Sequence, residues 1–455
     1  MKTITSSQRP LSPPQSNTLS STTASSNLLP ANHQPAMSFP KHTLTQTAPG
    51  TPFFTPAQQP PAGTPLSSPT SSTAPTLFTP LTLRSLTLQN RFAVSPMCTY
   101  SADGAGRLTP WHVVHLGAFA LRGVPLTIVE ATAVLPNGRI SPEDSGLWED
   151  SQIEPLRRVV EFVHSQGQKV GVQLAHAGRK GSTLAPWHVQ AGKGEVAGKE
   201  VGGWPEDLWA PSALKWDEGF PVPKEMDKEE IGKLVEAFKE AAKRAVKAGV
   251  DVIEIHSAHG YLLSEFLSPI TNQRTDEYGG PKFENRVRTL LEVVRAVRGV
   301  IPEGMPLFVR ISATEWMEWT GQPSWDLEQS KKLALLLADE GVDLLDVSSG
   351  GNNPKQQITF HPYYQADLAA AIKQELIKHG KADKMKIGAV GGVTTAELAK
   401  EFVQEGGRVG ADLVLVARQF LREPEFVLKT AADLGVKVQG PIQYHRAPIV
   451  KTEKL

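Results

Sequence analysis

From residue 77 onward the chain alternates between short apolar runs and longer stretches whose apolar positions recur every three or four residues. The short runs are rich in Val, Ile and Leu and mark buried strands; the longer ones mark amphipathic helices. Eight runs qualify as strands: Phe92–Ser95, Leu126–Glu130, Lys169–Leu174, Val250–His256, Leu307–Ile311, Leu344–Ser348, Lys386–Val390 and Leu413–Ala417. Helical patterns lie between them. Asp227–Ala248 opens on a capping Asp, continues Lys-Glu-Glu and stops before Gly249. Phe283–Arg298, Asp326–Glu340, Thr394–Gln404 and Glu423–Leu434 read the same way. A strand–helix unit repeated eight times predicts an α/β fold, a (β/α)8 TIM barrel. The competing open, doubly wound sheet would be expected to carry a Gly-x-Gly-x-x-Gly turn after an early strand, and none is present. Leu77–Leu88 has the spacing of an N-terminal hairpin able to plug the barrel floor.

Residues 1–76 follow neither pattern. They hold 14 of the 36 prolines, many Ser and Thr, and no Asp or Glu. Such a segment offers too little apolar surface to offset its ordering entropy, so it is expected to be a disordered tail, with residues 77–455 forming the barrel. Its charge comes from Lys2, Arg9 and Lys41, which leaves 44 basic against 47 acidic residues in the remainder. No basic stripe points to nucleic acid. No run of 18 apolar residues points to a membrane. Cys98 is the only cysteine, which excludes internal disulfides and fits a reducing compartment. A cytoplasmic location is expected, with a mitochondrial one as the alternative if the acid-free start is a transit peptide.

A barrel demands that chemistry sit after each strand. Polar or small residues do gather there: Pro96 to Tyr100 after the first strand, Glu130 to Thr132 after the second, Gln173 and His176 to Arg179 at the third. His256, His259 and Tyr261 follow the fourth, Arg310 lies on the fifth, and Ser348 to Gly351 follow the sixth. Gly391 and Gly392 follow the seventh and Arg418 the eighth. Lys169 and Lys386 lie at the entering ends, which argues against a Schiff-base aldolase.

The run Asn90 to Tyr100, the run Gln173 to Arg179, the run His256 to Gly280, Asn285-Arg286, Val309 to Ala313, and Arg418 stand in ordered succession. With them, residues 77–455 resemble the Old Yellow Enzyme family of FMN-dependent ene-reductases, in particular its small, bacterial-type branch with a cysteine near the flavin. The resemblance implies FMN as cofactor and NADPH as reductant. The chemistry of a flavin fits these positions. Gly391 and Gly392 can let backbone amides approach a phosphate, and Ala417 and Arg418 lie beside them with a charge. Arg310 can stabilise negative charge on the reduced ring. Gln173 can meet the donors and acceptors of the pyrimidine edge. Ser95, Pro96, Met97, Cys98 and Ala131 would pack on and bond the ring. Singly, each has a plainer reading: Cys98 as a small buried hydrophobe, Arg310 as an inward residue paired with Glu254, the glycine pair as a turn, Gln173 as a satisfied strand end. Their joint placement on one rim favours the site.

On the substrate side, His256 and His259 can both donate to a conjugated carbonyl oxygen while hydride arrives at the β-carbon. Tyr261 can protonate the α-carbon, and Tyr100 can orient the ligand. The alternative for two histidines three apart is a metal pair in a metal-dependent barrel lyase or isomerase, but the sequence offers no convincing third ligand. A third reading is a flavin-binding protein without turnover, against which the intact His256, His259 and Tyr261 argue. The long loops 175–226 and 312–325 hold seven of the nine tryptophans and read equally as lid, subunit contact or anchored loop. The stretch Gln443 to Arg446 resembles the segment with which this branch lends an arginine to a neighbouring subunit's site, so Arg446 is an expected substrate contact in a homo-oligomer. The resulting expectation is reduction of the C=C bond of α,β-unsaturated carbonyl compounds by NADPH through FMN.

Overall fold

The computed structural model describes residues 44–66, 75–189 and 195–449. Eight parallel strands close a barrel: β1 Phe92–Val94, β2 Leu126–Ala133, β3 Lys169–Ala175, β4 Val252–Ser257, β5 Leu307–Ser312, β6 Leu344–Ser348, β7 Lys386–Val390 and β8 Leu413–Val416. Each strand pairs with its successor, and β8 closes on β1 through Val414–Phe92 and Val416–Val94. The expected strands are therefore all present, with ends shifted by a few residues. A helix follows each: α1 Pro110–Ala120, α2 Ile153–Ser165, α3 Lys228–Ala248, α4 Phe283–Arg298, α5 Leu327–Asp339, α6 Ala366–Lys378, α7 Ala396–Val403 and α8 Phe426–Asp433. The Asp227 carboxylate caps α3 at the Glu230 amide, 2.9 Å away, and Gly249 ends it in the left-handed conformation. Helices α1, α2 and α6 were not picked out from the sequence. The first reads Pro-Trp-His-Val-Val-His-Leu-Gly-Ala-Phe-Ala, too apolar all round to show one face.

Side chains alternate inward and outward along each strand. The inward floor is Leu126 and Ile128, Val252, Phe308, Leu344, Val390, Leu413 and Leu415. A hairpin, Leu81–Leu83 paired antiparallel with Leu86–Leu88, presses four leucines against this floor and plugs it, as its spacing indicated.

One boundary differs from the sequence reading. Residues 45–66, assigned to the tail, are described as part of the barrel's own compact unit. Their composition cannot build a core, but it can lie along one already built. Ala48 and Ala62 are buried. The Gly63 amide donates to Gln439 O at 2.8 Å and the Leu66 amide to Lys437 O at 2.9 Å. The buried Asn90 side chain donates to Gly63 O at 3.2 Å. Residues 1–43 and 67–74 of the expected tail lie outside the described residues.

A chain begun at residue 45 should therefore melt where the full chain melts. One begun at residue 67 should lose the strap's hydrogen bonds, at about 1 kcal/mol each, and melt roughly 5 °C lower. Calorimetry of the two truncations is the measurement, and equal melting temperatures would remove the strap from the fold's stability.

Candidate active site

Register brings the polar side chains to one level. Gln173 on β3 stands opposite Glu254 on β4. His256 on β4 stands opposite Arg310 on β5, and Arg310 opposite Asp346 on β6. Two residues earlier, on the same faces, are Val252, Phe308 and Leu344 of the apolar floor. Period-two alternation thus sets a buried polar layer directly above a greasy one.

That layer is built around a guanidinium. Arg310 Nη1 donates to Ser95 Oγ at 2.9 Å, and the Ser95 amide is fixed on Val416 O at 2.9 Å. Arg310 Nε lies 3.2 Å from Asp346 Oδ2, although its N–H is not aimed at that oxygen. Arg310 therefore pairs with Asp346 and not with Glu254, whose Oε1 instead accepts from Gln173 Nε2 at 2.7 Å. Burial pushes the Glu254 carboxyl up, and the like charge of Asp346 adds to it; Arg310 and the Gln173 bond oppose. Burial also raises Asp346, against Arg310. Five buried atoms in this layer have no hydrogen-bond partner among the described residues: Glu254 Oε2, His256 Nδ1, Arg310 Nε and both carboxylate oxygens of Asp346. Such atoms are costly unless a ligand or water meets them.

Pro96, Met97, Cys98 and Tyr100 leave β1 as a half-buried loop. Thr99 ties it down: its amide donates to Glu130 Oε1 at 3.0 Å and its hydroxyl to Glu130 Oε2 at 2.6 Å. Ala131, next to Glu130, is buried against the same loop. Burial pushes the Cys98 thiol well up, the carboxyls of Asp144 and Glu130 add to this, and the Ala131 backbone opposes it. Cys98 is therefore a neutral thiol at ordinary pH. Burial likewise raises the Tyr100 phenol.

His256, His259 and Tyr261 come together after β4. The His256 ring lies 5.3 Å from that of His259 and 5.2 Å from that of Tyr261, each near perpendicular. His259 is held left-handed, at φ 61°. Its amide donates to Ser312 Oγ at 2.8 Å, and its Nε2 shares a 2.7 Å hydrogen bond with Ser348 Oγ. The next turn touches the β6 loop so closely that a Cβ on Gly260 would lie 2.3 Å from Gly351 O. Burial, then Arg310, pushes both imidazoles well below their usual range, so both are neutral. Burial raises the Tyr261 phenol, and the charges of Cys98 and Tyr100 add to it.

Lys180, which the sequence reading passed over, joins these loops. Its Nζ donates to His259 O at 2.8 Å and to Gly351 O at 3.1 Å. The ammonium stands 4.9 Å from the Tyr261 ring and 4.3 Å from the Trp216 ring. Burial, helped by Arg179, lowers its pKa to about 8. Ser312, Ser348, Asp346 and Glu130 were also missed as site residues. Ser and Thr near strand ends carry no signal of their own, whereas Lys180 directly follows the recognised Arg179.

Across the barrel, Gly391 and Gly392 both have positive φ, 115° and 72°. A Cβ on Gly391 would stand 2.4 Å from Gln365 Nε2, whose amide is fixed on Val390 O at 2.8 Å. Side chains are excluded here, which leaves a backbone cradle. Ala417 and the exposed Arg418 follow β8 beside it. Burial raises the Tyr364 phenol, and Arg418 and Arg310 oppose this. Arg446 is exposed on the C-terminal segment, where the Ile442 amide donates to Gln58 Oε1 at 2.9 Å. Among the described residues no hydrogen bond or ion pair joins it to His256, His259 or Tyr261.

Most loop tryptophans are anchors. Trp204 Nε1 donates to Asn137 O at 3.0 Å and its ring receives Arg139 at 4.6 Å. Trp325 is buried and stacks on Phe283 at 6.1 Å. Trp216 covers Lys180, and Trp209 Nε1 donates to Asp207 at 3.0 Å. Trp187 and Trp319 remain largely exposed.

Residues 76–436 match the model of the NADH:flavin oxidoreductase / NADH oxidase family. The chain is 50% identical over 402 residues to NADH:flavin oxidoreductase FG08077 of Gibberella zeae, covering 86% of this chain and 92% of that protein. It is 43% identical over 371 residues to the NADPH dehydrogenase of Bacillus subtilis, covering 81% and 98%. Among solved structures, morphinone reductase superposes with a TM-score of 0.63 at 27% identity, covering 82% and 93%. With the family match running through the whole barrel, and the relatives aligned over nearly their full lengths, the chain belongs to the NADH:flavin oxidoreductase / NADH oxidase family, which is the Old Yellow Enzyme family, and is a flavin-dependent oxidoreductase.

Proposed function

We propose that the protein is an FMN-dependent NADPH oxidoreductase that reduces the C=C bond of α,β-unsaturated carbonyl compounds. The observation that carries this reading is the cluster of two neutral imidazoles and one protonated phenol beside a buried polar layer with unpaired atoms. The residues fit FMN. Unpaired Arg310 and Glu254 atoms over an apolar floor suit a polar-edged flat ring, and the left-handed Gly391 and Gly392 with Arg418 suit its phosphate. Bound FMN supplies a carrier that takes hydride from NADPH and releases it to the alkene.

The chain's own groups do the rest. With Gln173 Nε2 held by Glu254, Gln173 Oε1 is left to accept from the ring edge. Arg310 offers positive charge at that edge. His256 and His259 donate N–H groups to the substrate oxygen; if His259 Nε2 accepts the Ser348 hydroxyl, its Nδ1–H is the free donor. Tyr261 keeps its proton at neutral pH and delivers it to the α-carbon. Lys180, beside the Tyr261 ring, is the cation nearest the phenolate this leaves. Tyr100, on a different strand loop, orients the ligand. The metal-pair alternative fits poorly with two near-perpendicular imidazoles, one of them hydrogen-bonded to Ser348. We also place Arg446 in a partner subunit's site, which makes the protein a homo-oligomer. Cys98 as a lone thiol supports a reducing, cytoplasmic setting; no described helix is long and apolar enough to cross a membrane.

The direct test is anaerobic reoxidation of the NADPH-reduced protein by enones, nitroalkenes and maleimides; a yellow protein that none of them reoxidises would refute the reading. His256→Ala and His259→Ala should each slow enone reduction by about 10²–10³ and weaken phenol binding while NADPH still reduces the flavin. Stopped-flow on the two half-reactions separates these effects.

Tyr261→Phe should slow reoxidation by cyclohexenone but spare nitroalkenes, whose nitronate is a stable product. Tyr100→Phe should mainly weaken ligand binding. The reverse pattern would exchange the two roles. The alkene half-reaction should also slow as pH rises through about 8, where Lys180 loses its proton. Lys180→Met should be slow throughout and lack that inflection; an unchanged alkaline limb in the variant would detach Lys180 from the step.

A further inference from the structure

Trp187 differs from the anchored loop tryptophans. It lies on the 3-10 turn Pro186–His188 and leaves 64% of its surface exposed. Among the described residues its indole N–H reaches only its neighbour, His188 Nε2, at 3.0 Å. Its one aromatic contact toward the site is Tyr100, at 5.6 Å between ring centroids and 89° between planes. Tyr100 is itself held at φ 50°, a conformation a bulky side chain adopts only when its surroundings impose it. Trp187 thus stands between solvent and Tyr100, whose loop leaves β1 at the same end of the barrel as the loop that carries His256, His259 and Tyr261 leaves β4. The single perpendicular contact leaves most of the indole uncovered, and an exposed aromatic surface beside a ligand-orienting tyrosine is a surface for another flat ring.

We propose that Trp187 is a specificity-determining residue, the outer wall of the substrate site, and that it selects α,β-unsaturated carbonyl compounds bearing an extended planar aryl group. This deepens the ene-reductase reading and rests on it. With the carbonyl oxygen at His256 and His259, a substituent that extends past Tyr100 packs on the exposed indole. A small cyclic enone ends before reaching it. Ring stacking beyond simple area burial is worth up to about tenfold in affinity.

The test uses the flavin-loaded enzyme with Trp187→Ala and Trp187→Phe. Binding is read from the flavin spectrum with two phenols, 4-hydroxybenzaldehyde and 6-hydroxy-2-naphthaldehyde. The larger phenol should bind about tenfold more weakly to Trp187→Ala, with most of the affinity restored in Trp187→Phe. The smaller should change less than about twofold. In turnover, KM for 4-phenyl-3-buten-2-one should rise by a similar factor with kcat kept, while cyclohexenone is unaffected. Equal losses for both phenols, or no loss for either, would overturn the proposal. If the parent enzyme binds both phenols but reduces neither enone, the ene-reductase reading fails instead, and the two binding constants still decide the role of Trp187.

Discussion

The site depends on one charge, the Arg310 guanidinium. It is the cation of a buried layer that holds two carboxyls, Glu254 and Asp346. Burying two carboxylates against one guanidinium leaves one negative charge uncompensated, and burial raises both acids. The geometry decides which acid keeps the charge. Asp346 lies 3.2 Å from Arg310 Nε, while Glu254 faces a neutral amide. Arg310 therefore favours the charged form of Asp346 most directly, while burial and the charge of Asp346 push the Glu254 carboxyl up to about 8. Arg310 also donates to Ser95, so the same group fixes the start of the loop that carries Cys98 and Tyr100.

A second constraint is the crossing of the loops after β4 and β6. Gly260 and Gly351 bring the two backbones closer than any side chain allows. His259 is left-handed there, and three hydrogen bonds hold it: its amide on Ser312, its ring on Ser348, its carbonyl under Lys180. Each partner comes from a different strand end. The proposed carbonyl clamp is thus positioned by the barrel and not by its own short segment, which is how backbone strain of this kind persists at a site.

The parts legible in the sequence are those that local pattern controls. Eight apolar runs marked eight strands because a parallel barrel strand is buried on both faces. Leu81, Leu83, Leu86 and Leu88 alternate, and they plug the floor. His256, His259 and Tyr261 stood out because three such side chains in six residues have no common structural use. What was missed depends on partners distant in sequence. Asp346, as the counter-charge of Arg310, shows only in the register of β5 on β6. Lys180 shows only when loops 79 and 171 residues away supply its carbonyls. The strap at residues 45–66 was assigned to the tail because it builds no core, yet it docks on one through backbone groups that any composition supplies.

The charge pattern also bears on why the proposed clamp would use neutral imidazoles. An imidazolium would be the stronger donor, but a histidine near its ordinary pKa would lose that proton across the neutral range. Burial, with Arg310 and Lys180 nearby, removes the choice by holding both rings neutral well below neutrality. Positive potential is then supplied by Arg310 and by Lys180, whose pKa is lowered by burial to about 8. The two functions an imidazolium would combine are divided: the histidines give direction to the hydrogen bonds, and the two cations give the field. Tyr261 stands beside that lysine with its proton in place, so in the proposed reaction oxygen binding and proton delivery would stay matched over the pH range in which Lys180 is charged.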